Sequence, residues 1–161
     1  MNIERDEEGG FVFSEVDPAL VAMFQAIPSA ADPEGSKTAL DRLFPDPAAG
    51  QETGLSEEWA DYVRPELREG FENASTTVEA DLAPLMAGEE GWTIPLSHVD
   101  AWLNTLNQAR LVLAAKYEVG EGDMNRTAPH PPENERGLAV SQIHVYGLLQ
   151  DCLIRGVEEA E

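Results

Sequence analysis

Val99, Trp102, Leu103, Leu106, Ala109, Leu113 and Tyr117 recur every three or four positions. That spacing lines them along one side of a 3.6-residue helix, and such a side must be buried against another element. Two further stretches repeat the pattern. Leu67, Phe71, Ala74, Val78, Leu82 and Leu85 predict a long helix from Pro65 to about Met86. Leu138, Val145, Tyr146, Leu149, Leu153 and Val157 predict another from Gly137 to Val157. Helices of this kind share one core as a bundle. The expected fold class is therefore all-α, an irregular bundle of about five helices once the shorter ones are counted.

The shorter helices are marked by their starts. Asp17-Pro18 offers a cap and a first-turn proline, and Leu20, Val21 and Phe24 give an apolar side that ends at Ile27-Pro28. Ser36 opens SKTALDRLF, which stops before Pro45. Ser56 opens SEEWADYV, with Glu57 and Glu58 where the helix dipole favours them, and Pro65 should end or kink it. Ser97, with Asp100 three residues on, resembles a capping box for the central helix. FVFSEV fits either a short strand or an extended lead-in, and WTIPL is the segment that can pair with it. The stretch from Pro45 to Gly54 reads as a loop, as does 120–136, which is polar, long and exposed. At 161 residues, 1–161 is one domain, with about 70% of the unfolded surface buried.

Charge narrows the function. The chain has 31 acids against 10 bases, a net charge of -21, and two of the bases are lysines. Such a surface repels nucleic-acid phosphates and anionic membranes, and no helix shows a basic face. It keeps a protein in solution and can steer basic partners. The single Cys152 forms no internal disulfide, the N-terminus MNIERDEEGG is acidic rather than secretory, and no run is long enough to span a bilayer. A soluble, cytoplasmic protein is expected.

Metal and cofactor chemistry finds no footing. His98, His130 and His144 are far apart and lack the paired Glu-x-x-His of di-iron bundles. GEGD at Gly120 follows a helix rather than a strand, and no G-x-S-x-G occurs. Cys152 reads as a small buried hydrophobe, with Arg155 as thin support for a reactive thiolate. The polar residues of the central helix are more informative. Arg110 borders the apolar stripe with Asn107 one turn before it, and Asp41, Glu66, Asp100 or Asp151 are carboxylates within conceivable reach. Two readings stay open. Arg110, Asn107, Asp100 and Asp151 form a structural polar cluster that fixes helix register, or they form a site for a small anionic ligand.

Three patches carry a resemblance: DRLFPDP from Asp41 to Pro47, AWLNTLNQARLVLAAKYEV, and VYGLLQDCLIRGV. The middle one is the most specific, through Trp102-Leu103, Leu106-Asn107 and Arg110-Leu111. Together they resemble the bacterial family known as domain of unknown function twenty-seventeen. Gln108 stands where that family tends to carry Asp, and Ala114-Ala115-Lys116 replaces a Gly-Thr-Arg turn. The resemblance implies an all-helical protein. Some relatives are encoded near the ClpS adaptor of the Clp protease, which implies a setting in protein quality control.

The expected function is a non-catalytic protein-binding or regulatory module without cofactor or metal, whose partner is another protein. Asp41, Arg42, Phe44 and Trp92 are its candidate interaction surface. The alternative is an enzyme or anionic-ligand binder built on Arg110, Asn107 and a nearby carboxylate.

Overall fold

The computed structural model describes residues 1–47, 54–126 and 132–159. The fold is mostly helical with a small antiparallel sheet at one end. Strands β1 (Asn2–Arg5) and β2 (Phe11–Ser14) form a hairpin, and β3 (Trp92–Ile94) pairs with the other edge of β2. The expected FVF–WTI pairing is thus present, in the register Phe11↔Ile94 and Phe13↔Trp92. The acidic start adds a third strand to it. NIER offers one apolar residue and no alternation, so the hairpin turn specifies the strand instead. Asp6 Oδ1 accepts from the Gly10 and Glu8 amides at 2.6 and 3.0 Å, and Gly9 supplies a φ of +83°.

Sheet and helices meet in an aromatic stack. Trp92 lies parallel to Phe13 at 4.3 Å between ring centres, with Trp102 at 6.2 Å and Phe24 at 5.0 Å. Offset contacts of this kind add to the burial of large rings. The Trp92 indole nitrogen is buried there without a hydrogen-bond partner among the described residues.

Helix α1 (Pro18–Gln25) starts as expected, with Asp17 Oδ1 accepting from Ala19 N at 2.8 Å. Ile27-Pro28 does not end the helical path. It opens the one-turn α2 (Ile27–Ala30), because proline's missing N–H costs nothing in a first turn. Ser36 caps α3 (Lys37–Leu43) through Ala39 N. Helix α4 (Leu55–Glu58) begins one residue ahead of Ser56, which does not cap it. A π-helical turn over Trp59–Val63 then leads straight into α5 (Arg64–Asp81). Pro65 sits in the first turn of α5, where the widened turn absorbs its missing donor. At its far end α5 stops at Asp81, five residues short of the expected Met86, and α6 (Ala83–Met86) restarts around Pro84.

Helix α7 (Val99–Lys116) is entered through a 3-10 turn, Leu96–His98. Ser97 lies inside that turn and makes no cap, contrary to the capping-box expectation; Pro95 sets the entry conformation in its place. The short α8 (Glu121–Met124) occupies part of the segment read as loop. The long α9 (Glu135–Glu158) is capped by Asn134, which accepts from Gly137 N at 2.8 Å.

Helix α7 is the centre, packed against α9, α5, α3 and α2. Val99, Trp102, Leu106, Ala109 and Leu113 are buried as the stripe requires. So are Thr105, Gln108 and Val112, which form a second, adjoining buried face. The outer stripes are only part-covered. Val78, Leu82 and Leu85 are buried while Leu67 is 43% exposed, and Leu138 is 40% exposed. A smaller cluster of Ala39, Leu43, Phe44 and Val112 joins α3 to α7, with Trp59 and Phe71 packed on it.

Two glycines test this architecture. A Cβ at Gly91 would run into the Phe13 carbonyl oxygen, whereas one at Gly70, inside α5, meets nothing within 4 Å. Gly91→Ala is expected to cost about 2 kcal/mol or more, and Gly70→Ala to add about 0.5–1 kcal/mol. Urea unfolding of the two variants checks the opposite signs.

Candidate functional site

The candidate cluster on α7 divides in the structure. Arg110 is half-buried and its Nη1 donates to Gln150 Oε1 at 2.6 Å, while Gln150 Nε2 donates to the Leu103 carbonyl at 3.1 Å. The guanidinium lies over Gly147, where a Cβ would stand 3.4 Å from Cζ. Arg110 Nε is buried without a partner among the described residues. Asn107 and Asp100 are exposed, and Asp151 pairs with Arg155 at 2.6 Å on the surface. Asp41 is held by Lys37, and Glu66 is exposed. The expected carboxylate partner of Arg110 is therefore replaced by a carboxamide. The reason is helical phase: Gln150 follows Gly147 by three residues and shares its face of α9, whereas Asp151 is rotated by about 100° toward solvent. The anionic-ligand reading keeps an arginine without a carboxylate. It loses Asn107 and both acids, and Arg110 lines none of the three cavities described below.

A second cluster joins α5 to the entry of α7. Asp81, its side chain 10% exposed, accepts from Trp102 Nε1 at 2.9 Å and faces His98 Nδ1 at 3.0 Å through both oxygens. The helix ends place these three residues together, 17 and 21 positions apart in sequence. A carboxylate against one imidazole nitrogen fixes the ring and leaves the other nitrogen to act, as in enzymes that use histidine as a base. The same contacts also pin the α5–α7 junction. Sequence reasoning set His98 aside; an Asp at the end of one predicted helix and a His at the start of the next was the available signal.

The candidate interaction surface divides too. Asp41 and Arg42 are exposed on α3. Phe44 is 5% exposed, packed on Phe71 at 5.7 Å, with the Arg64 guanidinium 5.6 Å from its ring centre. Trp92, at 3% exposure, is core rather than surface, because β-pairing and stacking with Phe13 bury it. Among the large apolar residues that face solvent, which include Met86 and Leu148, four lie on one arm. Leu55, Tyr62, Val63 and Leu67 are 48%, 73%, 43% and 43% exposed along α4, the π turn and the start of α5. Glu57, Glu58, Asp61, Glu66 and Glu69 surround them, all exposed. This arm continues the stripe that Val78 and Leu82 bury deeper in the fold.

Within 120–136, residues 127–131, including His130 and Pro131, lie outside the described residues. The rest is tied to the body. Arg136 donates to both oxygens of Asp123 at 2.9 and 2.7 Å and to the carbonyls of Tyr117 and Glu118. Those hydrogen bonds hold the Asp123 carboxyl below the usual carboxylate range and raise the guanidinium. On α9, the Tyr146 hydroxyl donates to the Met23 carbonyl at 2.8 Å, and burial raises its pKa. Cys152 is half-buried; burial, with Asp151 beside it, pushes the thiol up. His144 is half-buried on the same helix.

Among the described residues, three surface cavities stand out. One of about 390 Å³ lies between the hairpin and α9, near Asp151 and Cys152. One of about 490 Å³ lies beside Asp81 and Trp92. The third, of about 420 Å³, separates the α2–α3 connection from α5 and α7, and Asp32, Glu34, Phe71, Glu79 and Gln108 help to form its wall. Arg68, also in its wall, pairs with Glu34 and with Glu72, the latter at 3.4 Å. Among the described residues, no group of three or more His, Cys, Asp or Glu is placed to hold a metal ion, and no helix is long and apolar enough to cross a membrane.

The family described as Domain of unknown function (DUF2017) matches residues 7–157, nearly the whole chain, and the chain belongs to it. No curated protein and no solved structure matches.

Three outcomes follow from these surroundings. Asp81→Ala leaves the Trp102 indole N–H unpaired in the core and is expected to cost about 2–3 kcal/mol. Arg110→Ala, which breaks a bond to a carboxamide rather than a buried ion pair, is expected to cost about 1–2 kcal/mol. Chemical denaturation gives the order. Because the thiolate is the reactive form and Cys152 is shifted upward, its alkylation should be slow at neutral pH and still accelerating through pH 9, the ordinary thiol value. Iodoacetamide rates against pH measure this.

Proposed function

We propose that this member of the family is a non-catalytic, protein-binding or regulatory module. It engages its partner through the arm formed by α4, the π turn and the start of α5. The observation that carries the reading is the exposed row Leu55, Tyr62, Val63 and Leu67. Four large apolar side chains left in water along one helical path represent unclaimed burial energy, and contiguous patches of this kind mark interaction sites. Tyr62, the most exposed, is of the type that anchors interfaces, with a ring to bury and a hydroxyl to keep wet.

The acids around the row select the partner's chemistry. Glu57, Glu58, Asp61, Glu66 and Glu69 favour a basic rim around an apolar centre, and the net charge of -21 speeds encounter with such a surface. Asp41 and Arg42 lie on α3, which packs beside the arm through Phe44 and Phe71, and they extend the same contact. The reading places this action in the cytoplasm, with neither nucleic acid nor membrane as partner, since the surface charge disfavours both.

The double variant Tyr62→Asp, Leu67→Asp tests it. Both side chains are exposed, so the circular dichroism spectrum and melting temperature should stay near wild type. Affinity capture from native lysate, quantified by mass spectrometry, should recover at low salt a protein that the variant does not. Equal recovery by both chains would sink the proposal.

A further inference from the structure

We propose that the 420 Å³ cavity between the α2–α3 connection, α5 and α7 binds an aliphatic amine in its ammonium form, with Gln108 and Glu79 as the receiving groups. The starting point is Gln108. It is 6% exposed, and its Nε2 donates to the Ala31 carbonyl at 2.7 Å, which fixes the amide's orientation. The opposite orientation would set two oxygens against each other. Its Oε1 is therefore held in place, buried, and without a partner among the described residues. Buried acceptors in this state carry a desolvation cost that a donor on a ligand relieves. Both Gln108 and Ala31 belong to the cavity wall.

The charges around that oxygen decide which donor fits. Asp32, Glu34, Glu72 and Glu79 line the cavity against the single base Arg68, which already pairs with Glu34 and Glu72. Asp32 Oδ1 accepts from the Glu34 amide at 2.9 Å, and among the described residues the exposed Glu79 carboxylate pairs with no other side chain. An anion would meet an excess of carboxylates and a lone acceptor. A neutral donor would satisfy Gln108 and leave the carboxylates unanswered. An ammonium group supplies several N–H donors and the charge together. Phe71, Pro28 and Pro33 give its methylene stem an apolar wall, as the stems of lysines find on protein surfaces. The volume falls within the range of small-molecule sites. The amine is either a free polyamine or a lysine side chain presented by another protein.

This inference stands apart from the arm, since Leu55, Tyr62, Val63 and Leu67 do not line the cavity. Amide chemical-shift titrations of the full chain test it, with spermidine in one arm and N-acetyl-lysine methylamide in the other, in about 0.15 M salt. The expected result is saturable binding of at least one, with shifts centred on Ala31, Thr76 and Gln108. Spermidine alone points to a free polyamine, and the lysine derivative to a partner's side chain. Gln108→Met and Glu79→Gln should each weaken binding about tenfold. Glu4→Gln, a matched loss of one charge on β1, should leave it unchanged. Should Gln108→Met fail to fold, Glu79→Gln and Thr76→Val, both exposed, carry the comparison. Binding weakened as much by Glu4→Gln as by Glu79→Gln would assign it to the diffuse field of the protein and overturn the proposal. So would the lack of saturation with either amine. Retained amine binding in the Tyr62→Asp, Leu67→Asp chain keeps the two proposals separable.

Discussion

The fold depends on withdrawing α7 from water along two adjoining faces at once. A helix dried on one side can send its polar residues to the other, but α7 meets α9 and α5 as well as α2 and α3. Polar groups on it must find partners in place, and the partners are specific. Trp102 donates to Asp81 on α5, Gln108 to the Ala31 carbonyl beyond α2, and Arg110 to Gln150 on α9. Each bond fixes a neighbour's position along α7 as well as its distance from it. Apolar packing would tolerate small slides between these helices; a directional hydrogen bond in a dry setting does not.

Periodicity made one of those faces legible and hid the other. Val99, Trp102, Leu106 and Leu113 announce a stripe, and it is buried. The second face is Thr105, Gln108 and Val112, a mixture that no apolar spacing reveals. Asn107 therefore drew attention while Gln108, one position away and on a different face, is the buried amide. The same limit applies along the chain axis. Spacing identifies the side of α5 that favours burial, yet the length actually covered depends on neighbours: Val78 is covered and Leu67 is not. Local signals fared best where one residue suffices, as with Asp17, Ser36 and the FVF–WTI pairing. They did worse where tertiary contact decides, as with Trp92 and His98.

Surface charge is used sparingly for cohesion. The ion pairs Lys37–Asp41 and Arg155–Asp151 join residues on one helix, and such exposed pairs add little stability. Arg136 and Arg68 differ: each straps a connecting segment to a helix, Arg136 through Asp123 and Arg68 through Glu34. With so few bases for 31 acids, most carboxylates have no cation of the same chain to meet. Self-repulsion of that kind favours contact with positively charged molecules and with salt.

The π turn over Trp59–Val63 holds one residue more than an α-helical path of the same height needs. It acts as an angular spacer. Every side chain upstream of it is indexed about 100° away from where an uninterrupted helix would aim it. Drawing the bulge back into α-helical turns with every residue kept would leave α5 undisturbed while turning Leu55 about 100° from its present azimuth relative to Leu67. The hydrogen-bond register of this one turn thus sets which way the outward apolar face points.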